Sequence, residues 1–233
     1  GTILQASVGT AAEVIPDGSD VTVESGAILQ LASSSGAETI DALLGDGTVR
    51  TFVGTAGSFG SGIVVGSAGG SGTFSGTLVN GTSTLSLTKT GSGTQTISGA
   101  NTYTGATTIN GGTLALGAST TLPDTSPVVI GAATLDAGTF ANAPGTLDVT
   151  AGATINLGTG ATLAFANSAA VDWSGGTLTI SGTFVSGASL RFGTDNTALT
   201  STQVAAISCT GVSNFARDAN GSLTATPDGG YAS

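Results

Sequence analysis

One short phrase keeps returning along this chain: a glycine or other small residue, a threonine, then two aliphatic residues separated by a single position. It reads Gly112-Thr113-Leu114-Ala115-Leu116, Ala133-Thr134-Leu135-Asp136, Gly145-Thr146-Leu147-Asp148-Val149, Ala153-Thr154-Ile155-Asn156-Leu157 and Gly176-Thr177-Leu178-Thr179-Ile180. Alternation of apolar and small polar residues with glycine at the borders marks strands with one apolar face. Strands this short, with few aromatic residues to fill a wide interior, suit a stack of similar coils better than a sandwich or barrel. The fold expected is all-β, a parallel β-solenoid with a narrow aliphatic core and glycine at its corners. At about 20 residues per coil the chain would form about 11 coils, a rod about 50 Å long at the usual spacing between strands. Outward threonines would form ladders from coil to coil, and Thr113 is expected outside where Leu114 is inside. The prolines Pro16, Pro123, Pro127, Pro144 and Pro227 fall between the strand runs, where a missing N–H is harmless.

Composition removes several function classes. Hydrophobic residues make up 39% of the chain and charged residues 8%, the reverse of a disordered polymer. The formal net charge is −10, with Arg50, Lys89, Arg191 and Arg217 the only cations, so nucleic acid is a poor partner. No apolar run is long enough for a transmembrane helix, and the aromatic girdles of an outer-membrane barrel are missing. There is no His, which excludes His-based triads and His-ligated metals, and the single Cys209 is read as a small buried hydrophobe. No phosphate loop or dinucleotide fingerprint occurs, and no catalytic residue, cofactor or metal site is expected. Calcium at Asp17-Gly18-Ser19-Asp20 would be a weak signal, and the sequons at Asn80 and Asn220 read as tight turns. With no Met anywhere in the chain, Gly1 cannot be an initiator, and removal of an N-terminal piece is expected.

Three carboxylates, Asp136, Asp148 and Asp172, are the only candidates for paired acid chemistry of the kind used on polysaccharides. Alternation makes them outward, solvated residues, with Leu135, Leu147 and Val171 pointing in. The same count turns Trp173 inward as core filling. Asp172 and Tyr103 are carried as candidate contacts to a surface glycan, although the better reading of Tyr103 is a packed corner with its hydroxyl reaching backbone.

The segment containing Leu87-Thr88-Lys89-Thr90-Gly91, Ser98-Gly99-Ala100-Asn101-Thr102-Tyr103-Thr104-Gly105 and Ile109-Asn110-Gly111-Gly112-Thr113-Leu114 resembles the autotransporter-associated β-strand repeat, also called the passenger-associated transport repeat. The resemblance covers about thirty consecutive residues, 87–117. It implies a right-handed parallel β-helix in a protein secreted by, or displayed on, a Gram-negative-type bacterium, with no catalytic residues. The membrane barrel of a full autotransporter is not part of this sequence.

The last forty residues change character. Thr200-x-x-Gln203 is a capping box before a short apolar run, and Asp218-Ala219-Asn220-Gly221 is a hairpin turn between the runs 212–216 and 222–226. The chain is therefore divided into a solenoid rod, residues 1–193, and a helix-plus-hairpin cap or subunit contact, residues 194–233. The expected function is a structural surface rod whose ends join copies of itself into a homopolymeric filament. Ile3, Leu4, Val8, Val204, Ile207, Cys209, Phe215, Leu223 and Tyr231 are the candidate contact residues. The alternatives are an adhesin that binds glycan or matrix, and a polysaccharide-active enzyme.

Overall fold

Strands this short cannot bury a face alone, so each must lie beside its counterpart in the coils before and after it. The computed structural model describes residues 3–6, 15–31, 36–53 and 62–228. In it the longest ladder runs Val21–Val23, Leu43–Gly45, Gly72–Phe74, Thr94–Ile97, Thr113–Leu116, Thr134–Asp136, Gly152–Leu157, Thr177–Gly182 and Ile207–Cys209, all parallel. A second parallel ladder joins Glu38–Ile40, Gly62–Val65, Ser86–Lys89, Thr107–Ile109, Val128–Ile130 and Leu147–Val149. The third side carries Ile3–Ala6, Ile28–Leu31, Thr48–Thr51 and Thr77–Val79 early in the chain. Later it carries Ala141–Asn142, Thr162–Phe165 and Leu190–Phe192. This is a parallel β-solenoid with almost no helix.

Aliphatic side chains stack in register along its axis. Leu114, Leu135, Ile155 and Ile180 form one buried column and Ile109, Ile130 and Val149 another. Each such side chain contributes about 1.5–3 kcal/mol by leaving water. Thr113 is half-buried on the outer surface while its neighbour Leu114 is fully interior, as the alternation requires. Outside, the coils are tied by side-chain rungs: Asn156 Nδ2 donates to Asp136 Oδ1 at 3.1 Å and Ser181 Oγ to Asn156 Oδ1 at 3.1 Å. Glycine is obligatory where corners touch. A Cβ on Gly91, whose φ is 59°, would lie 1.9 Å from the carbonyl oxygen of Gly66 in the preceding coil.

The solenoid has about 7 turns, fewer than the eleven expected from a uniform coil. Some turns keep the short spacing, as where Arg50 meets Gln30 and Asn156 meets Asp136, both 20 residues apart. Others are longer: Thr77 faces Thr48 and Ser208 faces Thr179 at a separation of 29. In the last of these the chain leaves the ladder, crosses the third side at Leu190–Phe192 and forms the helix Ser201–Ala205 before returning. At the usual strand spacing the nine parallel strands of the long ladder span about 38 Å.

The third side is interrupted between Thr77–Val79 and Ala141–Asn142, and two side-chain amides replace the missing ladder. Asn101 accepts from Leu78 N at 2.7 Å and donates to Thr121 O at 2.9 Å. Asn142 Oδ1 then accepts from Thr121 N at 2.7 Å and Leu122 N at 3.0 Å. Both amides are buried, and each supplies the partners that a neighbouring backbone would have supplied.

At the C-terminal end Thr200 caps its helix as expected, its Oγ1 accepting from Gln203 N at 3.1 Å while Gln203 Oε1 accepts from Thr200 N at 2.6 Å. Gln203 Nε2 also donates to the carbonyls of Ser168 and Val171, both at 2.9 Å, anchoring the helix to the coil beneath. Val212–Arg217 and Leu223–Pro227 extend the long sheet as an antiparallel hairpin. Pro227 therefore ends a strand rather than lying between strands; it sits on the sheet's outermost strand, where its missing N–H leaves no ladder bond unmade. Ala198, Leu199, Ile207 and Leu223 belong to the same buried cluster as the coils, so tail and rod share one core.

Candidate functional site

The helix Ser201–Ala205 and the face of the last strands enclose an open groove of about 660 Å³ at the C-terminal end. Val204 comes from the helix, Ile207 and Cys209 from the last parallel strand, and Phe215 and Arg217 from the antiparallel strand beside it. A register shift between Ser213 and Ala216, with Asn214 at a φ of 54°, turns Phe215 against Phe184 at 5.8 Å, edge to face. The groove holds one unmatched charge: Arg217 Nε and Nη1 are buried and have no hydrogen-bond partner. Burial, and then the Asp228 carboxylate, push the Cys209 thiol above its ordinary range, so it is a protonated wall residue rather than an activated nucleophile.

Four of the nine residues singled out from sequence as contacts thus meet in one place: Val204, Ile207, Cys209 and Phe215. Ile3 and Leu4 pair with Ile28 and Leu29 on the outermost strand of the third side, toward the opposite end. Leu223 is a correction. It is fully buried in the chain's own core, because the hairpin lays its strand back over the Leu190–Phe192 coil, where Phe192 N donates to Gly221 O at 2.9 Å. Val8 and Tyr231 lie outside the described residues.

The candidate glycan contacts separate in the same way. Tyr103 has no exposed surface, its hydroxyl is 2.7 Å from Thr107 Oγ1, and burial pushes its pKa up to about 12. It is an interior residue and can touch no glycan. Trp173 is inward as expected, with Nε1 donating to Leu147 O at 3.0 Å. Asp172 remains exposed beside a second cleft of about 560 Å³ lined by Trp173, Thr202 and Gln203. The three carboxylates do not share a face: Asp136 lies on the long sheet, its Oδ1 taken by Gly138 N and Asn156 Nδ2, whereas Asp148 lies on the second sheet. Asp148 is held above the usual carboxylate range by burial and then by the Asp172 charge, and its Oδ1 is buried without a partner. Among the described residues no group of three or more Asp, Glu, Cys or His is arranged to hold a metal, Asp17 and Asp20 included. Asn80 works as a turn, its Oδ1 accepting from Leu85 N at 2.8 Å.

The middle of the rod contains buried polar residues that sequence reasoning passed over. Lys89 occupies an interior position between Val65 and Ile109, and its Nζ donates to the carbonyls of Thr90, Gly91 and Gly111 at the corner. Burial lowers its pKa while the Asp41 carboxylate opposes that shift. Gln95 is likewise interior, accepting from Leu43 N at 3.1 Å and donating to Leu43 O at 2.8 Å. With Asn101, Tyr103 and Thr107 these residues form one coil whose polar interior is closed by its neighbours.

Residues 87–116 match the family model of the passenger-associated-transport-repeat. The transport repeat spans that polar coil and includes Lys89, Gln95, Asn101, Tyr103 and Thr107. No curated protein and no solved structure matches the chain. Repeat and fold together fit a cell-surface or passenger-like β-helix protein. Among the described residues no helix is long and apolar enough to cross a membrane. The groove at the C-terminal end lies outside the transport repeat.

Proposed function

We propose that this chain is a non-catalytic structural rod, secreted by a Gram-negative-type bacterium or held on its surface, that joins end to end with copies of itself. The observation that carries this reading is the C-terminal groove, where Val204, Ile207 and Phe215 line one opening together with a guanidinium that has unmade hydrogen bonds. Among the described residues the long ladder starts at Val21–Val23 with no further strand beside it, and at the other end it closes in the antiparallel hairpin that borders the groove; an open strand edge favours addition of another copy. The transport repeat supports a passenger-like role for the rod between the ends.

The adhesin alternative keeps only Asp172, since Tyr103 and Trp173 are both interior and the exposed large hydrophobic residues among those described are Val53 and Val185. The polysaccharide-active alternative keeps only the neighbouring pair Asp148 and Asp172. The test of the filament is electron microscopy of the purified protein across a wide concentration range. Rods that lengthen with concentration are expected; short particles of constant length at every concentration would remove the proposal.

A further inference from the structure

We infer that the Arg217 guanidinium in the C-terminal groove is a socket for a carboxylate on the first coil of a second copy, so that the rods join head to tail. This rests on the end-to-end reading above and adds the chemistry of the joint. Two independent features point to it. The first is the socket: Nε and Nη1 of Arg217 are buried without partners, while Val204, Ile207 and Phe215 supply an apolar wall. A guanidinium presents a rigid fork of donors that a carboxylate satisfies two at a time, and in apolar surroundings the unmet donors are costly. The Asp218 carboxylate next in sequence does not meet this need through Oδ1, which accepts from Asn220 N and Ser222 N in the hairpin turn.

The second feature is the opposite end. From residue 15 to residue 46 the chain carries Asp17, Asp20, Glu24, Glu38, Asp41 and Asp46 and no Lys or Arg. Asp17, Asp20 and Glu24 are exposed, and the last two flank Val21–Val23, the outermost strand of the long sheet on that side. The groove is lined near the other end of the same sheet, by Ile207–Cys209 and Val212–Arg217, one strand in from the terminal strand Leu223–Pro227. A copy laid with its first coil against this end brings an acidic strand to the mouth of the groove and its unpaired cation. Each copy offers a different surface at each end, so the contact is heterologous and repeats without closing into a symmetric dimer.

The decisive experiment uses two variants, Arg217→Gln and the triple Asp17→Asn/Asp20→Asn/Glu24→Gln, with sedimentation and electron microscopy as readouts and thermal melts of the dilute monomers as folding controls. Each variant alone is expected to raise the concentration needed for assembly by roughly thirtyfold or more. Both should melt no lower than wild type, because neither removes a partnered interior group. A one-to-one mixture should give dimers and nothing longer, since the acidic end of the Arg217→Gln copy still fits the intact groove of the other. Assembly of the Arg217→Gln variant at the wild-type concentration would overturn the socket while leaving the filament standing. Failure of the wild-type protein to assemble at all would remove both.

Discussion

The coil that carries the transport repeat and the C-terminal end differ in what becomes of buried polar atoms. In the repeat coil Lys89, Gln95, Asn101 and Thr107 are all interior, and each reaches a carbonyl, an amide or a hydroxyl in a nearby coil, Gln95 extending past Gly72 to Leu43 two coils back. At the C-terminal end Arg217 has two buried nitrogens with nothing to bind. Glu38, on the outermost strand of the second sheet, shows the same at the other end: its Oε1 accepts from Ile15 N at 2.6 Å and its Oε2 is buried and unpartnered. In the repeat coil, neighbours on both sides supply the partners of its interior polar groups. At the C-terminal end the Arg217 strand lies between Ile207–Cys209 and Leu223–Pro227, neither of which meets its guanidinium, and an unmet polar group there identifies where another surface would go.

The hardest way to break this comparison is to place a charge where the repeat coil has no partner to offer. Leu114→Asp puts a carboxylate into the column of Leu135, Ile155 and Ile180 and should destabilise by more than about 4 kcal/mol, a melting temperature lower by about 10 °C or more. Thr113→Asp, one residue away and on the outer face, should cost less than about 1 kcal/mol. Equal melting temperatures for the two variants would refute the inside and outside assignment on which the core rests.

A smaller and sharper contrast uses one residue type in both regions. Asn101→Ala strips Leu78 N and Thr121 O of their partners in a dry interior and should cost about 2–4 kcal/mol. Asn214→Gly, in the exposed hairpin, removes a 3.1 Å bond to Thr226 Oγ1 but keeps a residue that adopts a φ of 54° freely. Its effect should stay within about 0.5 kcal/mol. Urea unfolding of the two variants measures both, and a loss at Asn214 as large as at Asn101 would mean that the end is no looser than the middle.

Much of this was legible in the sequence, and the limit is a physical one. The period of two assigned Thr113 and Leu114 to their faces, and turn and cap chemistry found the hairpin and the Thr200–Gln203 box, because these signals are local. That same period puts Lys89 on the face of Leu87 and Gln95 on the face of Ile97, so the polar core was readable too. It was passed over because a lysine is ordinarily an outward residue, and only the carbonyls of the stacked corner make an inward one tolerable. Coil number, the burial of Leu223, and the separation of Asp136 from Asp148 depend on which segments leave the ladder and where they return. Those are contacts between residues distant in sequence, and no local pattern encodes them.

The weakest expected effect tests the third unmatched group, Asp148, which lies in neither region. Its folded-state pKa is raised by burial and by Asp172, so the folded protein binds this proton more readily than the unfolded chain does. The favourable contribution of protonated Asp148 is therefore complete below the ordinary carboxylate pKa and is lost as the pH rises through the raised one. Asp148→Asn, which mimics the protonated form, should melt a little higher than wild type at neutral pH and equally at about pH 3. Asp172→Asn should recover part of the same gain, since that carboxylate is the second cause of the shift. A gain for Asp148→Asn that is as large in acid as at neutral pH would show that packing, and not the unpaired charge, limits the stability of this coil.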